Sequence, residues 1–214
     1  MDLVYKILFA LPAVITAITL HEAAHGWVAY KLGDSTAKDL GRITANPMKH
    51  LDPIGTVLMP LAMIIFTGMA FGYAKPVPVE VRNFQHPQKD MALVALAGPV
   101  SNFIMAVFWM FVLVASVKLL PNGSLGDALK YMAGIGVIIN IVLMVVNFLP
   151  ILPLDGGRVL MGVLPFKWAV MFIKTERFGF LLVILLLFTG ILDKILMPMV
   201  QMVQKNLFSL FGLS

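Results

Sequence analysis

The sequence predicts an all-α polytopic membrane protein with about five hydrophobic helices, short β-type segments in its loops and an interfacial helix at the C-terminus. Of its 214 residues, 60% are hydrophobic and only 13% are charged, and the mean hydropathy is +0.93. A soluble domain would expose much of that apolar surface to water. The chain has no cysteine, so disulfides and thiolate metal ligands are excluded.

The charge distribution argues against a nucleic-acid partner. Sixteen Lys and Arg residues against eleven Asp and Glu give a net charge of +5. The basic residues are scattered between apolar blocks and form no basic stripe, whereas basic loops are typical of membrane proteins. The predicted environment is therefore the lipid bilayer.

The first two apolar blocks are near the 20 or so residues that cross a hydrocarbon core as a helix. The first, residues 3–32, is interrupted by Lys6 and a cluster of His and Glu, with Lys31 beside its last residue. The second, residues 54–73, is broken by several helix-weakening residues, namely Gly55, Pro60, Gly68 and Gly72. Because Gly and Pro disfavour a straight helix, this block is predicted to be re-entrant or broken.

Three further blocks follow at residues 91–117, 131–149 and 178–192. After Pro198 the tail places its apolar residues near one face, with Gln and Lys elsewhere; these are Met199, Val203, Leu207 and Leu210. That pattern predicts a helix lying along the interface.

Two polar connections separate the first three blocks. Residues 33–53 include a short β-type stretch at 42–45, and residues 74–90 include an alternating one at 77–81,. No internal repeat or low-complexity linker is found. We therefore predict one domain, residues 1–214, with its core motifs within 17–158 and C-terminal helices at 159–214.

Ionisable residues stand inside the first block, in "AITLHEAAHGWVAY" at 17–30. His21 and His25 are four residues apart, so both rings reach one ion from one helix face. Glu22 lies about 100° away around the helix, near that ion without having to bind it. The pattern predicts a zinc site with a carboxylate base. The bland alternative is a polar cluster at the end of a helix.

Asp155 is the candidate for a third ligand, because a catalytic zinc site usually has three protein ligands and one open position. It follows the fourth block in "NFLPILPLDGGR", where two prolines and two glycines favour a rigid non-helical segment,. The alternative is an ordinary helix-ending turn with an exposed Asp.

Together these motifs resemble the site-2 protease family of intramembrane zinc metalloproteases. The motifs are "HEAAH" in an apolar segment, "ALAGPVSN" opening a later one and "NFLPILPLDGG" ending the next. The loops "GDSTAKDLGRITANPMKHLDPIGT" and "FGYAKPVPV" resemble the compact prokaryotic subgroup without a PDZ domain. The resemblance runs from about Ala17 to Arg158.

The resemblance implies His21, His25 and Asp155 as the ligands of one Zn²⁺ per chain, with Glu22 as the catalytic acid and base. It also implies that two amides, Asn147 and Asn102, contact the substrate backbone or the oxyanion. The implied substrate is a transmembrane protein or peptide. The implied location is the cell membrane of a prokaryote, which the chain crosses several times, with the β-type segments near the active site.

Two other functions are consistent with polar groups inside a membrane. A metal transporter also places His and Asp on a conduction path, and a catalytically inactive relative acts as a binding protein. A transporter does not need Glu22 beside the first ligand. His50 and His86 lie in loops; we expect solvated or structural roles for them, with His50 a minor candidate for gating or a second metal contact.

The number of crossings is in tension with this ligand set. If blocks two to four each span fully, Asp155 lies on the opposite side from the end of the first helix. Zinc ligands a few ångströms apart do not tolerate that separation. The prediction that residues 54–73 re-enter the membrane resolves it.

Overall fold

The computed structural model describes residues 3–59, 65, 75–121 and 123–213. In this part of the chain the α-helices are α1 (Leu3–Lys31), α2 (Thr36–Asp39), α3 (Pro87–Leu119), α4 (Ser124–Asn147), α5 (Asp155–Val163), α6 (Phe166–Ile173), α7 (Glu176–Phe188) and α8 (Ile191–Leu210). Short 3-10 turns lie at Pro47–Lys49 and Val81–Asn83, and a π-helical turn lies at Pro53–Leu58.

Three of the described helices are long and apolar enough to cross a membrane. They are Val4–Lys31 within α1, Pro87–Leu119 and Leu125–Asn147, and the bent pair α7 and α8 makes four if it counts as one span. The predicted all-α membrane fold is confirmed, and blocks one, three and four correspond to α1, α3 and α4. The fourth helix starts at Ser124, seven residues before the predicted 131.

The centre of the fold is α3, which packs against α1, α4 and α5. Buried residues from three helices meet there, including Ala13 of α1, Met110 of α3 and Ile141 of α4. The Trp109 ring lies directly over Gly136, where an added Cβ would be 2.4 Å from Trp109 Cγ. Small residues let membrane helices approach closely, so this contact holds α3 against α4.

The C-terminal helices differ from the prediction. The fifth block was expected to end at residue 192 and the interfacial helix to begin after Pro198. Instead α7 ends at Phe188 and α8 starts at Ile191, at an angle of 83° to α7. The reason is Gly190, whose φ of 67° is the left-handed conformation that ends helices,. Pro198 lies inside α8.

Two short helices were not predicted as helices, because both are much shorter than a membrane span. They are α5, which begins at Asp155, and α6. The Gln88 side chain of α3 donates hydrogen bonds to the carbonyls of Met161 and Leu164, both at 2.7 Å. These two carbonyls lie at the C-terminus of α5, so Gln88 caps that helix and fastens it to α3.

The predicted β-type segments are not strands in the described residues. Residues 43–45 form bends, and residue 42 and residues 75–80 have no regular secondary structure. Side-chain acceptors take the N–H groups that a ladder would use, because Val77 donates to Glu22 and Glu80 donates to Asp34,. The prediction of β structure was wrong for both segments, and for residues 77–81 these hydrogen bonds are the reason.

The predicted re-entrant block, residues 54–73, lies largely outside the described residues. The chain on either side of it is described. The backbone N–H of Lys75 donates to the carbonyl of His50 at 2.9 Å. The two connections that flank the block therefore meet on one side of the fold.

We expect single cysteines at Ser35 and Gln85 to be labelled from the same side of the membrane. Both positions are exposed, and the wild-type chain has no cysteine to interfere. Labelling with a membrane-impermeant thiol reagent in sealed vesicles of known orientation measures the side. Lys118→Cys, at the other end of α3, is the control and should label from the opposite side. Opposite sides for residues 35 and 85 would contradict the re-entrant prediction.

Asp34, just after α1, joins the two connections. It is fully buried, and its carboxylate accepts hydrogen bonds from the Thr36 N–H, the Asn83 amide and the Glu80 N–H at 3.1, 2.8 and 2.8 Å. Burial by itself raises the pKa of this carboxyl, but the hydrogen bonds from Thr36, Asn83 and Glu80 hold it below its usual range,.

Asp34→Asn is expected to lower stability by about 1–3 kcal/mol, because the Asn NH₂ group leaves a buried N–H donor unsatisfied. Folding lowers the pKa of Asp34, so its contribution is complete above the ordinary value of about 3.9 and is lost as the pH falls below that,. Thermal unfolding in detergent between pH 3 and 7 measures both effects. The exposed Asp127→Asn is the control; equal unfolding temperatures for the two variants would contradict the expectation.

Candidate metal centre

The two histidines of the first apolar block lie side by side on α1. His21 and His25 are 8% and 9% exposed, and their ring centroids are 4.7 Å apart at 88°. His21 comes ten residues before Lys31, the last residue of α1, which is about 15 Å along the helix axis. His25 comes six residues before Lys31, about 9 Å along the axis,, so the pair lies inside the span and not at its end.

The inner nitrogen of each ring is held by α3. His25 Nδ1 is 2.7 Å from the carbonyl oxygen of Val94, and since a carbonyl only accepts, this nitrogen carries the hydrogen. His21 Nδ1 is 2.6 Å from Asn102 Oδ1 and donates to it in the same way. Both Nε2 atoms are left as lone-pair donors for a metal.

Asp155 brings a carboxylate oxygen to these lone pairs. Its Oδ2 is 3.2 Å from His21 Nε2 and 3.4 Å from His25 Nε2, and the two Nε2 atoms are 3.1 Å apart. Oδ2 is buried without a hydrogen-bond partner. Three electron-rich atoms thus converge on one point, which is unfavourable unless a cation lies between them.

The spacing of the three atoms fits zinc. Bonds of about 2.0–2.1 Å to a tetrahedral zinc place neighbouring ligand atoms about 3.3 Å apart, and the three observed separations lie between 3.1 and 3.4 Å. Within the described residues, His21, His25 and Asp155 are the group of His, Asp and Glu side chains able to hold a metal ion. His50 does not belong to this group; it is buried, and its Nε2 is 3.1 Å from the Thr44 carbonyl oxygen.

Asp155 reaches this position because the chain turns sharply after α4. The turn includes a cis peptide bond between Leu152 and Pro153, and Asp155 is the first residue of α5. Gly179 of α7 packs against the turn so closely that an added Cβ would lie 1.5 Å from the Leu152 carbonyl oxygen.

Asn102 links His21 to α4 through hydrogen bonds. It is fully buried, and its Nδ2 donates to Asn140 Oδ1 at 2.9 Å and to the Ala17 carbonyl at 3.3 Å. Asn140 in turn donates to the Gly136 carbonyl at 2.8 Å. Both groups of the Asn102 amide are used inside the protein, so its predicted contact with substrate stays a prediction.

The Glu22 side chain is bonded to the connection between residues 74 and 90. Its Oε2 accepts a hydrogen bond from the backbone N–H of Val77 at 3.0 Å. Its other oxygen, Oε1, has no hydrogen bond to any described residue, so it remains available to accept a proton.

Asn147, the last residue of α4, is partly buried. Its Nδ2 donates to the carbonyl of Leu143 in its own helix at 3.0 Å. The predicted role of Asn147 at the oxyanion stays a prediction.

Comparison with known proteins gives the same chemistry as the geometry. The chain is 39% identical over 201 residues to "Putative zinc metalloprotease YwhC" of Bacillus subtilis (strain 168), covering 93% of this chain and 89% of that one. It belongs to the site-2 protease family of zinc metalloproteases. The predicted resemblance is confirmed.

More distant relatives agree. "Putative zinc metalloprotease Rip2" of Mycolicibacterium smegmatis (strain ATCC 700084 / mc(2)155) is 26% identical over 180 residues, which are 84% of this chain and 66% of that protein. Rip2 of Mycobacterium tuberculosis (strain ATCC 25618 / H37Rv) is 27% identical over 145 residues, 66% and 52% of the two chains. No family model and no solved structure matches the chain.

This site-2 protease family member therefore uses Zn²⁺, which its three convergent side chains fit. Sequence reasoning missed the partners that fix those side chains. The Val94 carbonyl carries no sequence signal, because every residue has one. Asn140 does have a signal: an amide in the middle of an apolar helix is costly and so indicates a buried partner.

Proposed function

We propose that this protein cleaves peptide bonds of transmembrane segments inside the cell membrane of a prokaryote. The observation that carries the proposal is the depth of the ligand set. Asp155 meets His21 and His25 about 15 and 9 Å before the end of α1,. Apart from Lys6 and Lys31 near the two ends, the exposed residues of that helix are apolar or aromatic. A zinc protease site at that depth is suited to a substrate that also lies in the bilayer. The bacterial relatives support the location.

The chemistry divides among the residues as follows. Bound zinc supplies a Lewis acid that lowers the pKa of water and polarises a carbonyl. Glu22 Oε1 accepts the proton of the attacking water and returns it to the leaving amine as the peptide bond breaks. Asn147 is proposed to donate its amide hydrogen to the carbonyl oxygen as negative charge develops there. This donation requires Asn147 to release Leu143, which it now bonds.

Asn102 is proposed to act through His21. Its Oδ1 holds the ring nitrogen that faces away from the metal position. Outer partners of this kind fix the tautomer and orientation of a metal ligand, and their loss typically lowers metal affinity 10- to 100-fold.

The extended substrate is proposed to lie beside residues 43–45. A groove of about 370 Å³ runs there along one face of α1; its lining is Leu20, Ala23, Ala24, Trp27, Ile43, Thr44 and Ala45. The N–H groups of residues 43–45 have no hydrogen-bond partner among the described residues, so this edge has donors for an added strand. Unchanged cleavage when Ile43 and Ala45 are replaced by Pro would count against it.

The experiment that tests the function uses the purified full chain in vesicles with a transmembrane peptide. Zinc-loaded protein is expected to cut the peptide within its apolar segment, and chelator-stripped protein is expected to be inactive until zinc is restored. Zinc movement into the vesicles is measured in parallel. Zinc transport with no cleavage of any peptide would favour the transporter instead.

A further inference from the structure

We propose that Arg42 is a positioning residue for the catalytic base: it fixes the backbone segment whose N–H holds Glu22. The inference rests on the proposed function, in which Glu22 moves the proton. Arg42 comes after α2, in the connection that follows α1, and has no place in the predicted ligand set.

Arg42 is hydrogen-bonded to the backbone of residues 75 and 76. Its side chain is buried, with 8% exposure, and Nη2 donates to the carbonyls of Lys75 and Pro76 at 2.8 and 3.3 Å. The N–H of Lys75 donates to the His50 carbonyl at 2.9 Å. Arg42 thus holds the carbonyls of two successive peptide units, and His50 holds the Lys75 N–H that comes directly before them.

Val77 directly follows the two residues that Arg42 holds. Val77 is 9% exposed, and its N–H reaches Glu22 Oε2 at 3.0 Å. Its side chain packs on α1 beside Gly26, where an added Cβ would be 3.1 Å from Val77 Cγ1. Pro76 and Pro78 have no N–H, so Val77 is the only backbone donor between residues 76 and 78.

The hydrogen bond from Val77 limits the orientations that the Glu22 carboxylate can adopt. A Glu side chain has three rotatable bonds, and an unrestrained one samples many orientations. The Val77 N–H fixes one oxygen of Glu22 and leaves the other free to take a proton. A misplacement of about 1 Å at a reacting group costs up to about 100-fold in rate. Loss of the Arg42 hydrogen bonds is therefore expected to lower kcat and to leave metal and substrate binding unchanged.

The experiment compares Arg42→Ala and Arg42→Lys with Arg82→Ala in the cleavage assay. Arg82 is the matched control, because it is an Arg in the connection that holds Val77 but its side chain is 94% exposed. Arg42→Ala is expected to lower kcat about 10- to 100-fold, with unchanged KM and zinc content. Added guanidinium ion is expected to restore kcat in Arg42→Ala. Arg42→Lys should recover little, since one ammonium does not reproduce the planar fork.

A second variant removes the proposed donor itself. Val77→Pro deletes the N–H, and residue 77 already precedes Pro78, so its backbone is in the extended region that Pro accepts. Val77→Pro is expected to lose far more kcat than Val77→Ala, which keeps the N–H. Hydrogen exchange of the Val77 amide gives a readout besides activity: it should be faster in Arg42→Ala than in wild type and unchanged in Arg82→Ala.

The inference is overturned if Arg42→Ala keeps the kcat of Arg82→Ala, or if its loss comes with loss of zinc or of folding and guanidinium restores nothing. Failure of the proposed function is a wild-type chain that cuts no peptide, whereas Glu22→Gln tests the base. If Glu22→Gln still cleaves, the protease function stands, but the base is misassigned and the role of Arg42 falls with it. If Glu22→Gln is inactive while Arg42→Ala is normal, only the role of Arg42 falls.

Discussion

Glu22→Gln is expected to lower kcat for peptide cleavage by about 10²- to 10⁴-fold while zinc stays bound. Gln has the same shape as Glu and still accepts the hydrogen bond from Val77, but its amide does not take a proton from water. None of the three ligand atoms belongs to Glu22, so metal binding does not depend on its charge.

Cleavage of a transmembrane peptide, followed by mass spectrometry, and zinc content, measured on the same preparation, test this result. Glu80→Gln is the control. Its side chain is half exposed and lies beside Arg82 in the same connection that holds Val77. Wild-type cleavage by Glu22→Gln would show that another group is the base. Loss of zinc together with activity would instead place Glu22 in the ligand set.

Gly98→Ala is expected to abolish tight zinc binding, lowering the affinity by more than the 10- to 100-fold of a lost outer partner. Gly98 lies on α3 directly against the ligand rings. An added Cβ there would be 2.5 Å from His25 Nε2 and 2.5 Å from His21 Cε1. Because both rings are anchored behind by Val94 and Asn102, neither retreats from the methyl group without losing a hydrogen bond.

Gly134→Ala is the matched control, because Gly134 lies in α4, another long apolar helix, and an added Cβ meets nothing within 4 Å. It should keep zinc and gain up to about 1 kcal/mol of stability. Zinc affinity by competition with a chromogenic chelator separates the two variants. Equal affinities would mean that the ligand rings are not held as closely to α3 as the structure has them.

How much was predictable differs from residue to residue. His21 and His25 were placed together correctly, because a helix fixes the relation between residues four apart. For Asp155 the motif left two interpretations open, a third metal ligand or an exposed residue in a helix-ending turn. The structure brings it within 3.4 Å of both rings, which the sharp turn after α4 makes possible.

Some predictions failed because they depended on partners. Residues 77–81 have the alternation of a strand, yet the N–H groups of Val77 and Glu80 go to carboxylates 55 and 46 residues earlier in the chain. The end of the fifth block was placed at 192, because apolar composition alone does not show that Gly190 turns the chain.

The sequence by itself determined the membrane class, the three long apolar helices and the two-histidine motif, because composition and helical spacing are local properties. Only the tertiary structure decided which groups surround that motif. His21 meets Asn102 across 81 residues of sequence, and Glu22 meets Val77 across 55. Contacts between distant segments depend on how helices pack and where backbone donors remain unpaired. No spacing within either segment encodes them.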